Sequence, residues 1–347
     1  NPAKQFNAVA YTGNGGTQSI DCGLAPDFIW VKNRGTANSN LLFDSSRGAS
    51  KSLKSDDGSA ESTAYSTIMT GFTSTGFNLG AADAGMNNST NNYIAWVWHC
   101  NGGTTATNTD GTITSTVQVN QEAGLSIMLW TGDDSQNATI GHGLGGVPDM
   151  WWVKDRDATN NWRVGFNTTS GANFDVLSGE NDAIQLNGTG AAQQLWQPEG
   201  NFTATATTCN TPNNGNSAAF FNGDGKKYVG YCWRSIEGYS KFGHYRGNGS
   251  TDGPFLYTGF RPKLFVQKRL DSTGDYRVHD TTRHPHNPND AVMRWHANSA
   301  EDTANSTVDF LSNGVKLRIT YGDVNASGGE YAYMCWGDVP FKYSNTN

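Results

Sequence analysis

The sequence predicts an all-β protein made of three tandem antiparallel β-sandwich modules of jelly-roll-like type. Three observations support this prediction. The 347 residues include 42 Gly and 10 Pro, so turns are frequent, while aromatic residues reach 12%. Short runs of large residues with high β propensity recur, as in YIAWVW at 93–98. The same set of motifs also appears three times along the chain.

The composition argues against several classes of protein. Charged residues make up only 16% of the chain, the net charge is −7 and the pI is about 5.4. A general nucleic-acid binder needs a basic face that displaces phosphate counterions, and this composition does not suggest one. No apolar run approaches the roughly 20 residues of a membrane helix. The chain begins at Asn1 rather than Met, so we expect a processed end or a cut through a longer chain.

Each copy of the repeat opens with an aromatic-x-Gly corner and a turn that contains Pro. In the first copy, Tyr11 and Gly13 form the corner, and Pro26 precedes the apolar run FIWV and Lys32. Pro lacks the N–H that a strand ladder needs, so the strand is predicted to start after it. We expect that strand to leave the core at the Lys, with the cation in water. The alternative is that this edge contacts a neighbouring subunit. The repeated positions are Tyr11, Gly13, Pro26, Lys32 and Trp98; Trp130, Gly132, Pro148, Lys154 and Trp233; and Tyr245, Gly247, Pro262, Lys268 and Trp336.

The repeat divides the chain into three predicted modules and one linker. The modules are placed at 4–101, 118–238 and 239–343, the last being the divergent copy. Residues 102–117 are rich in Gly, Thr and Asn and are predicted to be a linker. Each module has the length of one sandwich domain and is too long for a solenoid repeat. We therefore expect domains arranged like beads on a string. The second and third modules abut with little linker, so these two are expected to pack together.

A pair of opposite charges recurs after the second apolar run. Asp44 and Arg47 are three residues apart in the first copy, as are Asp280 and Arg283 in the third, whereas the second copy lacks both charges. Joint loss is what a buried ion pair predicts, because one partner left alone would be costly. The sequence therefore predicts a structural Asp–Arg pair that fixes this turn.

The sequence contains no pattern that indicates a catalytic or metal site. There is no nucleophile elbow, HExxH or P-loop motif. A glycosidase needs two carboxylates, but sequence alone does not locate such a pair. Four His between 279 and 296 lack the spacing of a zinc site, and no complete Ca²⁺ loop is present, so a solvated His loop and no cofactor are predicted.

The five cysteines are predicted to be free and mostly buried. Their number is odd, no two have CxxC spacing, and disulfide-rich scaffolds carry a higher density of Cys. One cross-link stays open as an alternative. The cysteines are Cys22, Cys100, Cys209, Cys232 and Cys335.

Three tryptophans outside the repeated motifs are candidates for contact with a partner. Trp162, Trp196 and Trp295 lie in polar stretches of the sequence. An exposed indole can stack on a sugar ring or anchor a protein interface. The alternative is that these side chains cap the ends of the sandwiches.

The repeated pattern resembles a module found in virion structural proteins of tailed bacteriophages, many of them marine. The carriers are residues 11–15, 23–34 and 93–98 with their two further copies, so the resemblance spans nearly the whole chain. The third copy departs most, because Lys263 replaces the Asp after the Pro turn and the apolar run lacks Trp.

The resemblance implies a non-enzymatic component of the particle surface, such as a tail fibre, spike, head fibre or decoration protein. It implies no catalytic residues and no cofactor. Its partners would be other virion proteins, copies of itself in a homo-oligomer and, if it is an adhesin, a host cell-surface glycan. No nucleic acid and no membrane insertion are expected. A carbohydrate-binding array is the main alternative function, and a polysaccharide depolymerase is a third.

Overall fold

A computed structural model of the chain describes residues 1–167, 182–194, 203–211, 218–303 and 307–337. The described residues form 26 β-strands, two four-residue helices and one 3-10 turn at Pro2–Lys4. All strand pairs are antiparallel apart from one isolated bridge. The predicted all-β fold is therefore confirmed.

The first segment, β1 to β8, consists of a large sheet faced by a smaller outer sheet. The large sheet has the order β1-β8-β3-β4-β5, and the outer sheet has the order β2-β7-β6. An apolar cluster fills the space between them. The strands are β1 (Phe6–Thr12), β2 (Gln18–Asp21), β3 (Phe28–Asn33), β4 (Leu41–Asp44), β5 (Leu53–Lys54), β6 (Met69–Phe72), β7 (Gly76–Leu79) and β8 (Asn92–Trp98).

The second segment, β9 to β18, has the large sheet β14-β13-β18-β11-β10-β9 and an outer sheet β12-β17, with a short pair β15-β16. Its own cluster lies between the layers. The elements are β9 (Ala106–Asn108), β10 (Ser115–Asn120), β11 (Leu125–Thr131), β12 (Ala138–Gly141), β13 (Met150–Asp155), β14 (Arg163–Phe166), β15 (Asp182–Ala183), β16 (Gln193–Gln194), β17 (Thr208–Thr211), α1 (Ala218–Phe221) and β18 (Lys227–Trp233).

The third segment, β19 to β26, has the large sheet β19-β26-β21-β22-β23 and the outer sheet β20-β25-β24, again with a cluster between them. The elements are β19 (Ser240–Arg246), β20 (Phe255–Tyr257), β21 (Leu264–Arg269), β22 (Arg277–Asp280), β23 (Met293–Arg294), β24 (Val308–Leu311), β25 (Gly314–Leu317), α2 (Gly322–Asn325) and β26 (Glu330–Trp336). Neither helix in the described part of the chain has the length and apolar character that a membrane span requires.

The three large sheets have one strand order in common. Strands β1-β8-β3-β4, β11-β18-β13-β14 and β19-β26-β21-β22 are neighbours in the same sequence of positions. The predicted linker is not a spacer, because it contains β9 and the start of β10, which extend the large sheet of the second segment beside β11. Threonine-rich strands can occupy a sheet edge even where Gly and Asn favour turns around them. The exact boundaries of the modules stay a prediction.

All three segments contribute to one central core, so the expectation of beads on a string is wrong. The second face of each large sheet supplies side chains to a single apolar cluster. Trp98 and Trp233 each contact Trp336, with ring centroids 5.4 and 6.4 Å apart. Trp30 of the first segment stacks on Trp295 of the third at 4.1 Å. The physical reason is that the central strands are apolar on both faces, and the second face must also leave water.

Candidate functional site

The tryptophans predicted to contact a partner lie inside the protein. Trp162 and Trp295 are both 0% exposed. The indole Nε1 of Trp162 donates to the Lys54 carbonyl at 2.7 Å, and Trp295 stacks on Trp30 in the central core. Neither ring can present a face to a glycan, so that expectation is wrong for both. Trp196 lies outside the described residues.

Exposed aromatic rings occur instead on strand β20 of the third segment. Phe255 is 44% exposed and Tyr257 is 66% exposed, while Leu256 between them points into the cluster. Residues two apart on a strand share a face and are separated by about 7 Å. β20 therefore presents two rings side by side at the free edge of its outer sheet. We call this surface the aromatic face.

A glycine keeps the middle of the aromatic face flat. Tyr257 lies opposite Gly314, and Gly314 lies opposite Leu311, which is 36% exposed. A Cβ atom at Gly314 would be 2.2 Å from the Leu256 carbonyl oxygen and 2.8 Å from the Phe255 ring. No larger residue fits without displacing the strand, so the floor beside Tyr257 carries no side chain of its own.

Paired charges border the aromatic face. Lys316, opposite Phe255, places its Nζ 2.7 Å from the Asp252 carboxylate, and Arg318 Nε donates to Asp309 at 2.5 Å. Because each cation has an anion beside it, the rim supplies hydrogen-bond donors and acceptors with little net charge. Such a rim suits a neutral hydroxylated ligand better than a strongly charged one.

Within the described residues, such an aromatic face occurs only in the third segment. The corresponding outward positions on β2 are Ser19 and Asp21, where Gly76 makes the same close approach that Gly314 makes. On β12 they are Thr139 and Gly141. The sequence did contain a signal for this difference, because the third copy departs most from the repeat.

The repeated lysines are buried, which corrects the expectation that they end in water. Lys32, Lys154 and Lys268 are each 0% exposed. The Nζ of Lys32 donates to the Asn298 carbonyl of the third segment at 3.2 Å, and that of Lys268 donates to the Thr189 carbonyl of the second. Burial lowers the pKa of each lysine to about 8. For Lys32 and Lys268, a loop from a neighbouring segment covers the place where the strand was expected to meet solvent.

Both predicted Asp–Arg pairs are present. Arg47 Nε donates to Asp44 Oδ2 at 2.5 Å, and Arg283 Nε donates to Asp280 Oδ2 at the same distance. All four side chains are 0% exposed. Each aspartate also accepts the backbone N–H of its arginine, so the pair closes the turn after β4 or β22.

The first of these pairs extends across the junction with the second segment. Glu61 accepts from Arg47 Nη1 at 3.1 Å and from Arg156 Nε of the second segment at 2.8 Å. The Tyr231 hydroxyl, also of the second segment, donates to Asp44 at 2.6 Å. A turn of one segment is therefore joined by charge and hydrogen bond to the next.

The same arrangement joins the third segment to the first. Glu301 accepts from Arg283 Nη1 at 2.9 Å and from Arg34 Nη2 of the first segment at 2.8 Å. The Trp96 indole of the first segment donates to Asp280 at 3.1 Å. Arg34 follows its strand as Arg156 does, so the two junctions are built alike.

The junction of the second segment with the third keeps the backbone contact, and its described residues hold no Glu–Arg bridge. Ala192 N–H donates to the Leu270 carbonyl at 2.8 Å, as Glu61 and Glu301 donate to the carbonyls of their arginines. Ala192 thus takes the place of the glutamate and Leu270 that of the arginine. Asn167 takes the place of the aspartate. Each segment contacts both others, so the three form a closed ring.

The histidines do not form a solvated loop as a group, and they do not converge on a metal site. His279 is buried, burial lowers its pKa to about 3, and its Nδ1 is 3.0 Å from Asn289 Oδ1. His296 is also buried, with Nε2 3.1 Å from Asp275. His286 is exposed. Within the described residues, no three His, Cys, Asp or Glu side chains are placed to share a metal ion.

One comparison identifies a family, although it assigns no activity. A family model described as a domain of unknown function, DUF7483, matches residues 1–340. No curated protein and no solved structure matches the chain.

Proposed function

The chain belongs to the DUF7483 family of domains of unknown function, and from that premise we propose that it is a non-enzymatic structural component of a tailed-phage particle surface. It would serve in a fibre, spike or decoration position, in contact with other virion proteins and with copies of itself. The proposal rests on the resemblance of the repeated motifs and on the way the chain closes into a ring.

The observation that carries the proposal is the shared core of the ring. All ten described tryptophans are buried, and the central cluster draws on all three segments. Each buried aromatic removes about 150–250 Å² from water. Two Glu–Arg bridges join the first segment to the other two, and hydrogen bonds to backbone carbonyls join the second segment to the third. A chain with these features is suited to bear load and to display its outer surfaces in a fixed arrangement.

One close pair of acidic residues, Asp275 and Asp323, lacks the properties of a glycosidase acid–base pair. A glycosidase needs one carboxyl group with a raised pKa that donates a proton. Asp275 and Asp323 share Arg277, with oxygens 3.3 and 3.0 Å from the same Nη2 atom. Although burial raises the pKa of Asp275, hydrogen bonds from His296 and Arg294 hold it well below its usual range. This carboxylate stays ionised and is unsuited to act as a general acid.

The aromatic face supports a second candidate function, the binding of a carbohydrate. Phe255 and Tyr257 offer flat apolar surfaces on which pyranose rings can stack, and the bordering Lys316 and Asp309 offer hydrogen bonds to hydroxyl groups. In this alternative the third segment carries the binding site and the other two act as its support.

Mass spectrometry of purified particles tests the structural proposal. The particles would come from the phage whose genome encodes this chain, purified through two density gradients. We expect the protein in constant stoichiometry to the major capsid protein, with antibody labels on the particle surface in electron micrographs. Detection only in the lysate of infected cells, and not in the particles, would overturn the proposal.

A further inference from the structure

Two cysteines of the second segment have their sulphur atoms in contact. The Sγ atoms of Cys209 and Cys232 are 3.5 Å apart. Cys209 is 3% exposed and Cys232 is 0% exposed. The predicted free and buried state of the cysteines is confirmed, and this pair is the one Cys–Cys contact found in the described part of the chain.

The two cysteines belong to different layers of the segment. Cys209 lies on β17 of the outer sheet, opposite Ile140. Cys232 lies on β18 of the large sheet, opposite Trp151 and Ser126. Both face the cluster between the layers. A bond between them would join the outer sheet to the large sheet covalently.

The corresponding positions of the other segments hold apolar pairs without two thiols. In the first segment they are Phe77 and Val97, which belong to one cluster. In the third they are Val315 and Cys335.

We propose that Cys209 and Cys232 form a reversible inter-sheet disulfide when the protein meets a small-molecule disulfide oxidant. In the first step, the thiolate of one cysteine attacks the oxidant, forms a mixed disulfide and releases one thiolate of the oxidant. In the second step, the other cysteine loses its proton and displaces the second thiolate. Two protein thiols are oxidised to one disulfide, and one oxidant disulfide is reduced to two thiols.

The bond would close a loop between positions 23 residues apart and would bring the sulphurs from contact to bonding distance. Burial raises the pKa of the Cys232 thiol well above its usual range, so little thiolate is present at neutral pH. The reaction is therefore slow at pH 7 and accelerates with pH. The bond would form after folding and would then link the two sheets covalently.

The experiment treats the reduced, folded full-length chain with oxidised glutathione at pH 7.5 and pH 9. We expect the thiols titrated after unfolding to fall from five to three, with a loss of two hydrogen atoms in the intact mass. Peptide mapping should show a single 209–232 link, formed about tenfold faster or more at the higher pH. The oxidised protein should also unfold at a higher temperature than the reduced one.

Two variants serve as matched controls. Cys209→Val introduces the residue found at position 315 and should keep all four of its thiols. Cys335→Val removes the corresponding thiol of the third segment and should still form the 209–232 link. An unchanged thiol count in the wild type, stable mixed disulfides with glutathione, or a link between other cysteines would overturn the proposal. If Cys209→Val does not fold, the wild-type peptide map and the Cys335→Val result still decide the outcome.

Discussion

Glu61 of the first segment and Arg156 of the second are joined through both side chain and backbone. The carboxylate accepts from Arg156 Nε at 2.8 Å and Nη2 at 2.9 Å, and Glu61 N–H donates to the Arg156 carbonyl at 2.8 Å. A bidentate pair with a fixed backbone is the geometry in which an ion pair contributes most. This contact, its counterpart between Glu301 and Arg34, and the backbone contact of Ala192 with Leu270 define the ring.

The Glu61–Arg156 contact should show energetic coupling across the junction. We expect Glu61→Ala and Arg156→Leu together to lower the free energy of unfolding by less than the sum of the single changes, with a coupling of about 0.5–3 kcal/mol. The reason is that either single change leaves a charged partner behind. Urea denaturation of the wild type, the two single variants and the double variant measures this coupling as a double-mutant cycle.

The exposed pair of Asp252 and Lys316 gives the control for this cycle. The carboxylate of Asp252 is 84% exposed, so solvent screens the interaction. Asp252→Ala and Lys316→Ala should therefore be nearly additive. Additivity at Glu61 and Arg156 as well would show that the bridge does not join the segments energetically.

Replacing one partner of the buried Asp44–Arg47 pair should lower the free energy of unfolding more than replacing both partners. Asp44→Asn or Arg47→Ser alone should cost about 3–5 kcal/mol, because each removes the nearest opposite charge from a buried ion. The two changes together should cost less than either one, as the second segment, with Asn167 at the aspartate position, already illustrates. Thermal or urea unfolding measures all three variants. A double variant less stable than both single variants would contradict the structural pair.

The buried lysines should make stability rise with pH in the alkaline range. An unfolded lysine has a pKa near 10.4, whereas burial lowers that of Lys32 to about 8. Between these values the unfolded chain binds more protons than the folded one. The contribution of Lys32 to the free energy of unfolding therefore increases with pH, by at most about 1.4 kcal/mol per unit.

The comparison of wild type with Lys32→Met isolates this contribution from those of Cys and Tyr. We expect the free energy of unfolding of the wild type to rise relative to Lys32→Met from pH 8 to pH 10, and the difference to be flat from pH 6 to pH 7. Lys241→Met, at an exposed position, is the matched control and should follow the wild type. Parallel curves for wild type and Lys32→Met would show that the cation is not desolvated.

The aromatic face should carry any glycan binding. Phe255→Ser and Tyr257→Asp, which introduce the residues of the first segment, should each weaken binding to host polysaccharide by about tenfold, or about 1.4 kcal/mol. The melting temperature should change little, because both rings are exposed. Glycan arrays and titration calorimetry on the best ligand provide the measurement.

Tyr321→Ser supplies the control for the aromatic face. Tyr321 is 37% exposed and does not belong to β20, so its loss removes an exposed ring without altering the face. Equal weakening by Tyr321→Ser would show that binding is a general property of surface aromatics. Full binding by the two β20 variants would place the ligand elsewhere.

Local signals in the sequence identified the strands and the turn pairs. The alternating aromatic residues at 93–98 indicate a strand through their β propensity. The Pro turn before Phe28 indicates where a strand starts, because Pro has no N–H to pair. The joint loss of two charges in the second copy pointed to the Asp–Arg pair. These features depend on neighbours within a few residues, and the structure agrees with each of them.

The arrangement of the segments depended on contacts that a single repeat does not encode. A lysine is the last residue but one of this strand in every copy. Lys32 is nevertheless buried, because residues more than 260 positions away cover it. The indoles of Trp162 and Trp295 lie in polar stretches of sequence, yet they fill the centre of the ring. Their burial depends on the closure of three sheets around one core, and local patterns carry no information about that closure.

Scanning calorimetry of the full-length chain tests the shared core most directly. If the central cluster unites the segments, one cooperative transition should appear, with a calorimetric enthalpy close to the van't Hoff enthalpy. Trp295→Ala, in the third segment, should shift that whole transition to lower temperature, since the loss of a buried Trp costs about 3–5 kcal/mol. Separate transitions, of which Trp295→Ala moves only one, would contradict the closed ring.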